Sequence, residues 1–293
     1  MNRTVLITGA TGFLGSNLLL KLVELNFDVV FLKRSFSKCT RIVSVLDKVK
    51  FYDIDKTGLS EVFKENRIDI IIHCATSYGS EITEPKNLIE SNLIYPLELL
   101  DLGSKEGISC FINTDTILDR RVNHYSLSKK QFREWFEVYS NSMICINVAL
   151  EHFYGPNDDK SKFISFIINK LLSSQKSIDL TAGEQERDFI YISDVVSAFI
   201  FIINEIPKLS SNVINYEIAT DNPIKLRDFV ELSKKLTKSE ISLDFGALPY
   251  RKNEIMKLNV DTSQIRKLGW EPKVPLAEGL QKTIEFERRV LET

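Results

Sequence analysis

Thr8-Gly9-Ala10-Thr11-Gly12-Phe13-Leu14-Gly15 follows directly on a short β-type run, Val5 to Thr8, and leads into Leu14 to Asn26, where apolar residues recur at helical steps. In that order, glycine permits the tight turn, lets backbone approach a pyrophosphate and lets helix pack closely on strand. The helix N-terminus adds N–H groups and partial positive charge. The spacing is Gly-x-x-Gly-x-x-Gly and not G-x-G-x-x-G, so the reading rests on position. Three of the 12 glycines fall in these few residues, in a chain of 293 where glycine is otherwise scarce. A merely structural turn is the competing reading.

Outward from the turn the same alternation continues. Val29 to Leu32, Val49 to Tyr52, Ile68 to His73, Ile108 to Asn113 and Met143 to Val148 read as strands. Leu59 to Glu65, Asn87 to Lys105 and Ser126 to Ser140 read as helices between them. Strands apolar on both faces and separated by helices form a parallel sheet covered on both sides. The expected fold is therefore α/β, a Rossmann-like doubly wound parallel sheet with a smaller, discontinuous C-terminal α/β substrate domain. The nucleotide-binding domain is expected over 1–152, with 187–218 also contributing, and the substrate domain over 153–186 and 219–293. In the latter part, helices are expected at Phe163 to Leu172, Val195 to Asn204, Leu226 to Lys235 and Leu276 to Arg288, and β segments at Ser177 to Leu180 and Val213 to Ile218.

Composition excludes several classes. Lys+Arg 38 against Asp+Glu 40 leaves −2, so no basic field is available to hold a nucleic acid. At 43% hydrophobic and 27% charged residues, the chain reads as globular. The apolar run before Gly9 is too short for a signal peptide. The longest apolar stretch, Val195 to Ile203, is under half of the roughly 20 residues a span needs. No membrane partner and a cytoplasmic location are expected. Cys39, Cys74, Cys110 and Cys145 form no CxxC pair and lie near no histidine at metal spacing, so free thiols and no metal are expected.

An acid that binds the ribose 2′-hydroxyl belongs about 20 residues past the turn, at the carboxyl end of the second strand. Asp28 meets the count, but it opens that strand, about 16 Å from Lys33. The strand tip carries Lys33, Arg34 and Ser35, groups suited to a 2′-phosphate, which favours NADP(H) over NAD; a solvated basic loop is the alternative. Asp53 and Ile54 end the third strand, placed for an adenine edge and ring, and Ala75 and Thr76 follow the fourth. Read alone, both are equally strand exits.

Tyr125 and Lys129 stand at i and i+4, on one helix face. A nearby ammonium stabilises tyrosinate, and a phenol moved toward neutrality donates better to a developing alkoxide. Tyr52 and Lys56 repeat the spacing at a strand end and serve as a decoy. Tyr125 instead begins the helix after Phe111-Ile112-Asn113-Thr114-Asp115-Thr116, a strand ending in hydroxyls, which completes a Thr, Tyr, Lys site.

With these residues placed, the sequence resembles the extended short-chain dehydrogenase/reductases of the nucleotide-sugar epimerase, dehydratase and reductase group. The similarity includes the glycine turn, Tyr125 with Lys129, Phe153-Tyr154-Gly155-Pro156, Arg187-Asp188-Phe189-Ile190-Tyr191 with Asp194, and Leu268-Gly269-Trp270-Glu271-Pro272. Ala75-Thr76-Ser77-Tyr78-Gly79, Asn113 to Thr116, Leu150 to Pro156, and Phe245-Gly246-Ala247 with Asn253-Glu254-Ile255-Met256 resemble the CDP-abequose and CDP-paratose synthase group of 4-ketoreductases. The resemblance implies NADP(H) held at Gly9, Thr11, Gly12, Phe13, Leu14 and Gly15 and at the strand ends named above. It further implies Tyr125 as proton donor, Lys129 as its tuner and ribose ligand, and Thr114 as the assisting hydroxyl with Thr116 as fallback.

The implied substrate is a nucleotide sugar, CDP-linked in preference, with Tyr78, Thr116, His152, Arg187 and Arg251 lining it. Taken alone, Arg187 could pair with Asp188 or Asp194, and Arg251 could be a surface charge. The family's usual Arg and Asn before Tyr-Gly-Pro are Ala149 and His152 here. The resemblance also implies a homodimer paired through helices beside the catalytic one. A 4-epimerase is the alternative activity, and a non-catalytic NADP-binding regulator the alternative class. A dehydratase has Asp115 available, but its usual following Glu is Thr116.

Overall fold

The structure is a computed structural model that describes residues 3–79 and 84–292. The first 150 residues alternate as expected: β1 Thr4–Thr8, α1 Phe13–Glu24, β2 Asp28–Lys33, β3 Lys50–Asp53, α2 Leu59–Glu65, β4 Ile70–His73, α3 Pro85–Ile89, α4 Tyr95–Lys105, β5 Cys110–Thr116, α5 His124–Glu134, α6 Phe136–Tyr139 and β6 Ile144–Leu150. A 3-10 segment, Thr40–Lys48, precedes β3, and a π-helical turn, Glu90–Ile94, joins α3 to α4. The chain continues through β7 His152–Tyr154, α7 Phe163–Leu171, β8 Ser177–Leu180, β9 Glu186–Arg187, β10 Phe189–Tyr191, α8 Ile192–Glu205, β11 Val213–Ile218, β12 Ile224–Lys225, α9 Leu226–Thr237, β13 Ser242–Phe245, α10 Ser263–Leu268 and α11 Leu276–Glu292.

Two compact units result, Met1–Leu150 with Val196–Glu217, and Glu151–Val195 with Ile218–Thr293. The first holds a seven-stranded sheet in the order β11-β6-β5-β4-β1-β2-β3, and the pairings from β3 through to β6 are parallel. Chain direction across the sheet reverses between β1 and β4, the place where ligands bind in open α/β sheets. Register aligns Thr8 with Leu32 on one side and His73 on the other. β5 runs past the last β4 pair, Asn113 with His73, so Thr114, Asp115 and Thr116 pair only with β6. The inner strands β1, β2, β4, β5 and β6 are buried on both faces, as expected where helices cover both sides of a parallel sheet. Leu6, Ile71, Leu99, Phe111, Phe132 and Phe136 share one core, where Phe132 and Phe136 meet edge to face at 5.5 Å. Such ring pairs add about 0.5–1.5 kcal/mol beyond their buried area.

The second unit is built from short strand pairs, β7 with β10, β9 with β12 and β8 with β13. β10 pairs with β7, which groups residues 187–195 here. Phe229 of α9 stacks on Phe189 at 4.2 Å and meets Phe163 at 6.0 Å. Asp194 accepts from the N–H groups of Lys273 and Val274 and so holds the approach to α11. All four cysteines are free thiols, and among the described residues no helix is long and apolar enough to cross a membrane.

Candidate active site

Gly9 has φ +68°, and a Cβ there would lie 2.6 Å from the Ala75 nitrogen; a Cβ on Gly15 would lie 2.2 Å from the Gly9 oxygen. The outer glycines therefore let the turn close onto the end of β4 and onto α1. Gly12 is exposed, and a Cβ there would meet only the Gly9 oxygen, at 3.2 Å. It caps α1 without a side-chain bond, and the first turn carries no acid. An outward-facing, uncapped helix start of this kind fits a pyrophosphate. Ala75 N–H donates to Thr8 Oγ1 at 3.2 Å, bringing the two strand ends expected to hold the cofactor side by side.

At the tip of β2, Lys33 and Asp53, expected to meet different parts of a cofactor, are an ion pair with each other, and Lys33 lies over the Phe51 ring. The cause is register, which places Lys33 opposite Asp53. Ser35 donates from its N–H and Oγ to Asp55 at 2.7 and 2.6 Å. Arg34 is exposed and stacked over Phe36 at 4.8 Å. Arg41, which the sequence reading missed, reaches from the 3-10 segment to donate to the Thr11 carbonyl at 3.3 Å, beside the glycine turn.

α5 starts with a capping box: Asn123 accepts from Ser126 N–H, and Ser126 Oγ accepts from Asn123 N–H. This fixes Tyr125 and Lys129 on the first two turns. Lys129 is 1% exposed and its Nζ has no hydrogen-bond partner. Burial lowers its pKa to about 8; Asp115 and Cys74 oppose that shift and Lys130 adds to it. The Tyr125 phenol is not lowered, contrary to expectation: burial pushes it up, with Tyr78 and Asp115 adding to the rise. Burial disfavours the charged phenolate over the neutral phenol, so the tyrosine is held protonated.

Tyr78 lies 5.1 Å from Tyr125, ring centre to ring centre. Thr114 Oγ1 donates to the His73 carbonyl at 3.0 Å, while Thr116 Oγ1 accepts from Leu118 N–H at 3.2 Å. Asp115 is fully occupied. It accepts from Thr116 N–H at 2.7 Å, Lys130 Nζ at 2.9 Å and Asn147 Nδ2 at 3.0 Å.

Asn92, on the π turn, was also missed. It accepts from Ser77 N–H, donates to the Ser77 carbonyl and to Ser128 Oγ, and so ties the loop after β4 to α5. π turns concentrate at functional sites. Its sequence signal was faint, a lone Asn in an apolar helical pattern.

In the second unit, Arg187 donates to Glu254 at 2.7 Å and to the Glu186 carbonyl. Asp188 instead accepts from Thr220 and Asn222, and burial raises its pKa despite those bonds. Arg251 is exposed. His152 Nδ1 lies 2.7 Å from Glu151, and its ring packs edge-on to Phe189. Among the described residues no cluster of His, Cys, Asp and Glu could hold a metal ion.

Residues 5–218 match the NAD dependent epimerase/dehydratase family. The chain belongs to this family. Along its whole length it is 32% identical to the CDP-abequose synthase of Salmonella muenchen, covering 98% of each chain. Two solved structures share its fold. The UDP-glucose 4-epimerase of Thermotoga maritima, with UDP-glucose, has a TM-score of 0.87 at 24% identity, covering 98% of this chain and 99% of that one. The UDP-glucose 4-epimerase of Thermus thermophilus, complexed with NAD, has a TM-score of 0.83 at 21% identity, covering 97% and 99%. In this epimerase/dehydratase chain, a turn fitted to pyrophosphate and a Tyr–Lys pair both sit at the carboxyl end of one sheet. That arrangement can hold a dinucleotide and move a proton beside it.

Proposed function

We propose that the protein is an NADPH-dependent reductase of the C4 keto group of a nucleotide-linked 4-keto-3,6-dideoxyhexose or related deoxysugar, CDP-linked in preference. The observation that carries the reading is the buried, unpartnered Lys129 amine one helical turn from a protonated Tyr125. Gly9, Thr11, Gly12, Phe13, Leu14, Gly15, Ile54, Ala75 and Thr76 hold the cofactor, and Lys129 meets its nicotinamide ribose. With Lys33 and Asp53 paired, Arg34 and Arg41 take the 2′-phosphate; arginine grips phosphate oxygens bidentately. When bound, NADPH supplies a hydride to the carbonyl carbon. The carbonyl π pair moves onto oxygen, which takes the Tyr125 proton, and Lys129 stabilises the phenolate left behind. Thr114 and Thr116 orient that oxygen.

Arg187, steadied by Glu254, and Arg251 grip the diphosphate, and Tyr78 and His152 line the sugar. Elimination is disfavoured because Asp115, the acid it would use, is taken up by bonds from Thr116 N–H, Lys130 and Asn147. The full-length similarity to a CDP-abequose synthase supports the CDP-sugar choice. Exposed Ile94, Leu127, Trp135 and Val138 around α4 to α6 support a homodimer through those helices. NADPH oxidation with a panel of CDP- and dTDP-linked 4-keto sugars tests the activity. Turnover on a CDP-4-keto sugar is expected, and none on any member overturns the reading.

A further inference from the structure

Lys129 and Lys130 are neighbours in sequence, both nine-tenths or more buried as whole residues, and opposite in circumstance. The Lys129 amine has no partner, whereas Lys130 Nζ donates to Asp115 Oδ2 at 2.9 Å and to the Thr116 carbonyl at 2.5 Å. The Asp115 side chain is 0% exposed and that of Lys130 11%. Behind them the chain of bonds continues through Asn147 to Asn113 Nδ2, at 2.9 Å, on the same two strands, β5 and β6. This network crosses between β5 and α5 at the point where β5 has run beyond the cover of β4.

We infer that Asp115 and Lys130 are a positioning pair for the site, clamping the strand end that carries Thr114 and Thr116 onto the helix that carries Tyr125 and Lys129. Side chains alternate across a strand, so Asp115 points away from the face of Thr114 and Thr116. It meets α5 on that face, through Lys130. The inference takes Tyr125 and Lys129 as the reacting pair from the reading above.

The clamp also has an electrostatic consequence that a purely mechanical brace lacks. The groups acting on Lys129 are Asp115 of β5, Cys74 and His73 at the end of β4, and Lys130 of its own helix. Cys74 is a neutral thiol, its pKa pushed up to about 12 by burial, and burial keeps His73 neutral. Asp115 and Lys130 are thus the two fixed charges of opposite sign beside the amine, and they act on it in opposite directions.

The test reads Lys129 without substrate or cofactor, so its outcome is independent of whether the proposed reaction is right. Protein labelled with 13C at lysine Cε is titrated by NMR, with Lys129→Met assigning the signal. The wild-type midpoint is expected near 8. Asp115→Asn is expected to move it down, and Lys130→Met up, each by about one pH unit. Lys130→Arg leaves it in place, and the double variant, which removes both charges, moves it down by less than Asp115→Asn does. Circular dichroism identifies the variants that keep the fold. If a single variant does not fold, the double variant and Lys130→Arg decide. A midpoint unchanged in Asp115→Asn or Lys130→Met, or a double variant shifted at least as far down as Asp115→Asn, overturns the inference.

Discussion

The tip of β2 and the end of β5 lie on the same edge of the same sheet and treat their charges in opposite ways. At β2 the polar groups satisfy one another: Lys33 with Asp53, Ser35 with Asp55. At β5 and α5 a lysine amine is buried and left unsatisfied beside a protonated tyrosine. An unpaired buried polar group costs about 1–3 kcal/mol, and more if charged. A fold that retains one holds it ready for something it will bind. The contrast separates charges that build the scaffold from charges that await a ligand.

The largest expected effect falls on the unsatisfied side. Tyr125→Phe and Lys129→Met should each lower ketone reduction by about a thousandfold, the range for loss of a positioned proton donor. Lys129→Met should at the same time make the cofactor-free protein more resistant to urea, by about 1–3 kcal/mol. Loss of both activity and stability would break the comparison.

Next come the paired residues beside it. Lys130→Met should cost about 3–5 kcal/mol by urea unfolding, because Asp115 is left buried without its cation, and adding Asp115→Asn should recover most of that. Equal costs for single and double variants would make the pair incidental.

A pH series gives a smaller effect with a fixed sign. Lys129 titrates near 8 in the folded chain and 10.5 when free. The unfolded chain then binds more protons between those values, so the lysine's destabilisation is complete below about pH 8 and is relieved as pH rises toward 10.5. Subtracting the Lys129→Met curve from that of the wild type should isolate this slope, and no difference between the curves would contradict the burial argument.

The scaffold side gives the smallest changes. Arg34→Ala and Arg41→Ala should each weaken NADPH binding about tenfold and leave NADH binding unchanged, in keeping with one charge-assisted hydrogen bond. Lys33→Ala should leave the cofactor preference intact. Loss of NADPH selectivity in Lys33→Ala would move the phosphate site back to the strand tip itself.

What was legible in the sequence follows the same division. Gly9, Gly12 and Gly15 were readable because their constraint is local backbone geometry, and Tyr125 with Lys129 because one helix face joins them. Lys33 and Asp53 were assigned to a ligand because their pairing depends on the register of two strands 20 residues apart. Arg41 went unnoticed because a 3-10 segment carries no clear period, and Asn92 because a polar residue inside an apolar helical pattern gives little signal of its own. The second unit's β7, β9, β10 and β12 are two or three residues long, too short for any alternation to register. The partner of Arg187 proved to be Glu254, 67 residues away, and neither of the nearby acids.

The central claim is net reduction at C4 with Tyr125 as proton donor. Stopped assays with purified protein, NADPH and a CDP-linked 4-keto-3,6-dideoxyhexose, following absorbance at the nicotinamide band alongside product sugar, test it most directly. The account predicts one NADPH consumed per hydroxyl formed in the wild type and almost none in Tyr125→Phe. Interconversion of 4-hydroxy epimers with tightly held cofactor and no net NADPH loss would contradict it.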